Sequence, residues 1–426
     1  MRFAVVSRSI VPPFACPMYG YGSRVDCCDG VNDPLSFTAV LLEEDGRRAL
    51  LGATDIGSYA NDGRTLALLD RLAGIVGCPR DNIMLNASHT HGGPMLPMGD
   101  FAHLPSPVPG LITRYDEWFT GVVTEAVTEA AANLQPGTLW LGEGRTAVPM
   151  NRRPDRAGAV PNAPNAGGPV DDRLFVFALR DAQHELHAVG ARVSCHPVAT
   201  GAQHLLTGDY VGAWKAAFAE AFGPGVQPFF LQGSGADARP RHVTEGDHWR
   251  AMKHAELSAI GRDLCRETLR VLTGPGLRPL GPLKLKGRLA TVLAPCERRH
   301  LTRESFTKLL GTDLRHYAEI CLGRLAAGLE IPAEQAFLVQ TLWLDEETAL
   351  LGLNAEVLCG MGRILEQALS PARAIMLGYT NGVVCYVPDA VEMARGGYET
   401  QCYQSQPWTG PLESGLEKRF AAALLV

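Results

Sequence analysis

The sequence predicts an α/β body built on a mixed β-sheet. Two observations carry that prediction. Paired apolar runs joined by short turns read as hairpins, and other apolar runs lead into segments of helical period. Hairpins combined with strand–helix units require antiparallel and parallel neighbours in the same sheet. The 426 residues are 46% hydrophobic and 20% charged, ordinary globular composition that excludes a disordered, collagenous or coiled-coil chain.

Along the chain, residues 3–10 form a first strand, stopped by Pro12 and Pro13. Residues 14–34, rich in Gly, Cys, Tyr and Asp, show no period and read as a long loop. Phe37–Glu43 and Arg48–Thr54 pair as a hairpin. Leu66, Leu68, Leu69, Leu72 and Ile75 place a helix over Asp62–Ile75, closed by Gly77 and Pro79. Ile83–Asn86 is a short buried strand, Met95–Gly110 a Pro-rich excursion and Trp118–Ala131 an amphipathic helix. Gly137–Thr146, Leu174–Leu179, His187–Ser194 and Val226–Gln232 are strands, with a long Pro/Gly-rich loop over Asn151–Asp172 and a helix over Val211–Phe222. Asp247–Leu272 is the longest helical stretch. A strand over Lys284–Leu293, a hairpin of Gln335–Leu344 with Thr348–Leu353, a helix over Ala355–Ala368 and a strand over Arg373–Gly378 complete the pattern.

A formal charge of −6 supplies no basic field for nucleic acid, so no nucleic-acid partner is expected. No run approaches the roughly 20 apolar residues of a membrane span, and the opening MRFAVVSRSIVPP lacks the form of a signal peptide. Eleven cysteines include no CxxC, and the odd number leaves at least one thiol unpaired in a monomer. A reduced, cytoplasmic protein acting on a small-molecule substrate is expected, with a homodimer as the possible assembly.

The chemistry concentrates where strands end. Ser88-His89-Thr90-His91-Gly92-Gly93-Pro94 follows the strand at Ile83. In α/β sheets such exits line the ligand crevice. If the chain stays extended there, His89 and His91 project to one side. They can then hold one metal together, divide between metal and reacting group, or be ordinary polar loop residues. Cys195-His196-Pro197 repeats the arrangement, with His196 a further ligand candidate and Cys195 a buried small hydrophobe. Gly233-Ser234-Gly235-Ala236-Asp237 is a third strand-end turn, without the lysine of a P-loop or the GxSxG of a nucleophile elbow. Glu356 opens the helix of LNAEVLCGMG, and Arg152 opens the long loop.

These segments, in this order, resemble the neutral/alkaline non-lysosomal ceramidase family in its N-terminal catalytic domain. The marks are SIVPPFACPMYGYGSR, NIMLNASHTHGGP, NRRP, SCHP, FLQGSGADARP, LNAEVLCGMG and GYTNGVVCYVPD followed by GGYET. The resemblance implies mixed sheets layered between outer helices and one Zn²⁺ per chain. It assigns His89, His196, Glu356 and Tyr386 as metal ligands, His91 to the reaction, and Arg152 and Tyr398 to the substrate or its developing oxyanion. Asp237 then orients a histidine or organises the glycine turn.

Two departures shape the substrate expectation. Where the family's GDxSP segment has serine, this chain has Arg239, which suits an anion. The resemblance also ends near residue 400, so 1–426 is expected to be a single catalytic domain without the family's C-terminal β-sandwich. The expected activity is hydrolysis of an amide or related acyl bond in a small, soluble, anionic metabolite by metal-activated water. A cyclising or acyl-transfer enzyme and a non-catalytic binding protein on the same fold are the alternatives.

Overall fold

The computed structural model describes residues 1–22, 24, 26–98, 106–297, 301–312, 314–401 and 410–425. Its main sheet has nine strands. Eight run in spatial order Gln227–Gln232, Leu186–Val193, Arg173–Asp181, Gln135–Arg145, Arg2–Ser9, Ser36–Glu44, Arg47–Thr54 and Ile83–Ala87, and Arg278–Pro279 pairs beside Gln135–Arg145. The outermost pair at each end is parallel and the pairs between are antiparallel. A second sheet is formed by Lys286–Pro295, Glu334–Trp343, Thr348–Leu353 and Arg373–Leu377, with only its last pair parallel.

The two sheets lie face to face, and helices cover the outside. Alternation along the strands decides which face each side chain enters. Phe3, Val40, Leu42, Phe175, Phe177 and Leu231 share an inner core with Leu342, Leu350, Ile375 and Leu377 of the second sheet. The alternate residues Ala4, Val6, Ala39 and Leu41 pack outward against the helices Gly63–Val76 and Val108–Ala132. Val176, Val189 and Ala191 pack outward against Tyr210–Phe222 and Leu257–Leu272. Cys359–Ala368 and Leu416–Leu425 cover the second sheet. Strands covered on both faces need apolar residues throughout, which is why AVLL and RLFVFAL show little polar alternation. The layered α/β arrangement read from the resemblance is therefore the observed one.

Several expected boundaries are corrected. The helix expected from Trp118 begins at Val108, because Pro109 sits in its first turn, where a missing N–H costs nothing. The Pro-rich excursion thus ends inside a helix, and its residues 99–105 lie outside the described residues. The stretch from Asp247 is helical only from Leu257, after a short antiparallel pair and a 3₁₀ turn. The helix expected from Ala355 begins at Cys359, so Glu356 stands on a two-residue strand and not on a helix. Arg239 likewise leaves the glycine turn for a strand, Ala238–Pro240, paired with Pro149–Asn151. No helix of the described residues is long and apolar enough to cross a membrane.

Candidate metal centre

The main sheet curls until its two ends touch, and two buried amides make that closure. Asn86, on the last strand, accepts from Gln232 N (2.7 Å) and donates to Gly378 O (2.7 Å) of the neighbouring segment. Gln232, on the first strand, donates to Ser88 O (3.0 Å) and Cys195 O (2.8 Å) and accepts from Cys195 N (3.2 Å). The residues immediately before His89 and His196 are thereby held on one side chain. Neither Asn86 nor Gln232 stands out in the sequence as a site residue. Their signal was an amide inside an otherwise apolar buried strand, which needs partners and so marks a junction.

The histidine rings are fixed by backbone carbonyls. His89 Nδ1 meets Gly57 O at 2.6 Å, and His196 Nδ1 meets Gly235 O at 2.7 Å. A carbonyl only accepts, so both Nδ1 atoms carry the proton and both Nε2 atoms present lone pairs. His89 reaches this position with φ 64°, in the left-handed region. The extended course expected through Ser88–His91 is therefore not followed, yet the rings converge. The ligating nitrogens of His89, His91 and His196 all lie within 4.8 Å of one another.

Glu356 completes the convergence. Its Oε2 is 2.9 Å from His196 Nε2 and 3.3 Å from His89 Nε2. Burial pushes the His196 imidazole down to about 4, with the Arg152 charge adding to it, so the ring is neutral near pH 7. Burial and the two neighbouring histidines hold His91 well below its ordinary value. Burial would raise the Glu356 carboxyl, but His89 and His196 outweigh it and keep the group ionised. Two lone pairs thus face a carboxylate oxygen in a buried space. A cation at their meeting point relieves that arrangement, and imidazole with carboxylate is a donor set that zinc accepts. The residues fit a metal ion.

Tyr386 comes alongside through the short parallel ladder Glu356–Val357 with Tyr386–Val387, in which Glu356 and Tyr386 are register partners. Its hydroxyl accepts from Arg152 Nη2 at 3.1 Å, and its ring stacks with that of His196 at 6.4 Å. Arg152 also donates to Glu399 at 2.9 Å, and burial, which would weaken its charge, is outweighed by Tyr386 and Glu399. Tyr398 stands beside Tyr386, ring centroids 5.5 Å apart, and is half-exposed. Asp237 does not orient a histidine. Its carboxylate accepts from Cys359 N at 3.1 Å, at the start of the Cys359–Ala368 helix, while its carbonyl accepts from Arg152 N. Burial pushes its carboxyl up to about 6.

Arg239 lies on the site's flank, its guanidinium 5.5 Å from the Trp249 ring centroid. Its Nε is buried without a partner, and among the described residues no carboxylate pairs with it. Its charge reaches His91 and Tyr386. Burial and the like charge of Arg152 lower its own affinity for a proton.

No family model matches the chain. In sequence it is 28% identical over 210 residues to the neutral ceramidase of Pseudomonas aeruginosa, a match spanning 46% of this chain and 30% of that protein. In fold it matches the crystal structure of neutral ceramidase from Pseudomonas aeruginosa with TM-score 0.71 and 21% identity, covering 99% of this chain and 72% of that one. The chain shares the neutral ceramidase fold and resembles that protein in sequence over part of its length. A ceramidase complexed with C2 matches comparably, with TM-score 0.71, 20% identity, and coverage of 99% of this chain and 73% of that one.

Four residues at this site were missed in sequence. Tyr19 and Tyr21, from the loop read only as aperiodic, set their rings 5.7 and 5.1 Å from that of His91. Tyr379 tilts against His89 at 4.3 Å, and its buried hydroxyl has no partner. Glu399 is buried and holds both Arg152 and Arg153. Only its position beside Tyr398 in GGYET hinted at it.

Proposed function

We propose that this chain is a zinc-dependent hydrolase of amide or related acyl bonds in small carboxylate-bearing molecules. The observation that carries the reading is the meeting of two carbonyl-anchored imidazole Nε2 atoms on one oxygen of Glu356. His89, His196, Glu356 and Tyr386 would hold the ion. When bound, zinc supplies Lewis acidity, polarising a carbonyl and lowering the pKa of water toward about 7.

The chain's own groups perform the remaining work. His91, neutral because it is buried, takes up a proton at Nε2 and returns it to the leaving nitrogen. Arg152, held by Glu399, donates toward the charge that develops on the carbonyl oxygen. Tyr398, beside Tyr386 and half-exposed, contributes a further hydroxyl to the substrate. Arg239 takes the substrate's carboxylate through its planar fork of donors. A half-buried guanidinium that no described acid pairs with, and whose charge acts on His91, supports that role. The core shared by both sheets supports reading the described residues as one catalytic unit.

Purified protein reconstituted with zinc should contain one ion per chain by elemental analysis. It should release amine from N-acyl amino acids with one oxygen of labelled water in the new acid. Incorporation from water separates hydrolysis from acyl transfer. His91→Ala should keep the zinc and lose turnover by roughly 10²–10⁴-fold. Absence of stoichiometric metal, or loss of zinc in His91→Ala, would contradict the assignment.

A further inference from the structure

The loop that covers His91 is closed at its base by two thiols. Pro17 and Cys27 bridge as antiparallel partners, which sets Cys16 directly opposite Cys28. Cys28 N donates to Cys16 O at 2.9 Å, Cys16 N approaches Cys28 Sγ at 3.5 Å, and the two sulfurs are 4.0 Å apart. Opposed residues of an antiparallel pair have Cα atoms about 4.5–5.5 Å apart, inside the range a disulfide spans. Adjacent residues of an extended segment point to opposite sides, so Cys28 and not Cys27 faces Cys16.

We propose that Cys16 and Cys28 are a site of reversible disulfide formation, with a small-molecule disulfide such as oxidised glutathione as the oxidant. Cys28 is partly exposed and Cys16 is fully buried, so the oxidant meets Cys28 first. A hydrogen bond from the Cys16 thiol to the Cys28 sulfur lowers Cys28 to about 6, and the thiolate is the attacking form. Cys28 attacks one sulfur of the oxidant and expels the first glutathione thiolate. Cys16 then attacks the Cys28 sulfur of that mixed disulfide and expels the second. The two protein thiols are oxidised, the oxidant's disulfide is reduced, and the protons of the two cysteines pass to the two released glutathiones.

The loop between the cysteines is the wall of the site. Gly20, at φ +112°, packs so close that a Cβ there would meet His91 Cγ at 2.4 Å. Arg24 donates to His91 O and to Gln203 O, each at 2.7 Å. A covalent link at the base fixes the ends of this wall and narrows the motions open to it.

The test uses the full zinc-loaded chain, equilibrated with excess oxidised glutathione, quenched by alkylation and digested with trypsin. Cleavage after Arg24 places Cys16 on residues 9–24 and Cys27 and Cys28 on residues 25–47. The expected result is a linked pair of these peptides, two hydrogens lighter, in the wild type and in Cys27→Ser, and none in Cys28→Ser. Amide exchange within residues 17–28 should slow by about tenfold in the oxidised protein. A link made through Cys27, a stable glutathione adduct with no link, both thiols still alkylated, or unchanged exchange would each overturn the proposal.

Discussion

Two arginine environments flank the site, and they are built on opposite rules. Arg153 is fully buried and saturated: its guanidinium donates to Glu392 at 2.7 Å, to Gly396 O at 2.7 Å and to Glu399. Arg239 is half-buried, rests against Trp249 and has no acidic partner among the described residues. A charge removed from water must be compensated. Arg153 is compensated inside the fold, so it is structural, and Arg152, one residue earlier, is steadied through the same Glu399. Among the described residues no acid compensates the charge of Arg239, which is the condition of a group awaiting a ligand.

The largest effect should come from the site that both arginines flank. Glu356→Gln removes the carboxylate on which His89 and His196 converge. Zinc should be lost and turnover should fall by about 10³-fold or more, read by elemental analysis and kinetics. Activity retained with full zinc would show that the arginines surround something other than the reacting centre.

Arg153→Met takes one buried partner from each of Glu392 and Glu399, leaving them Arg395 and Arg152 alone, and should cost about 3 kcal/mol in denaturant unfolding. Arg239→Met strands nothing and should change stability by about 1 kcal/mol or less, since only the stacking on Trp249 is lost. Equal losses of stability would abolish the distinction between the two environments.

Arg239→Met should instead act on substrate. For a carboxylate-bearing N-acyl substrate, KM should rise by about 10–100-fold with zinc content unchanged. For the matching carboxamide, KM should stay the same. An identical rise for both members of the pair would show that Arg239 shapes the pocket without reading charge.

The smallest effect concerns Asp237, behind the arginines. Burial raises its carboxyl to about 6, whereas unfolded it titrates near about 4. The folded chain therefore binds more protons between those values, and this group's contribution to stability falls as pH rises from about 4 to 6. Asp237→Asn keeps an acceptor for Cys359 N and removes the titration. Relative to wild type, it should gain about 2–3 kcal/mol across that window and stay level above it. A pH-independent difference in urea unfolding would show that the carboxyl is not held protonated.

Local pattern determined much of this protein. Apolar runs of strand length, the leucine spacing from Leu66 to Ile75 and the Gly77 stop placed most of the major strands and several helices, because those signals act within a few residues. The strand-end histidines could be picked out because breakers follow them directly. The ordered motifs carried the resemblance and the layered fold, and they named Glu356 and Tyr386, which no spacing would have joined. Where tertiary contact overrode local preference, the sequence was misleading. Glu356 reads as a helix start, but a parallel partner at Tyr386 holds it in a strand. His89 reads as extended, but bonds to Ile56 O and Gly57 O hold it in the left-handed region. Only the closed sheet decided that Asn86 and Gln232 would meet, since they lie 146 residues apart and each amide has its partners solely in the folded state. The same holds for charge: one sequence carries Arg153 and Arg239 as equal side chains, and only the placement of Glu392 and Glu399 made one of them structure and left the other open.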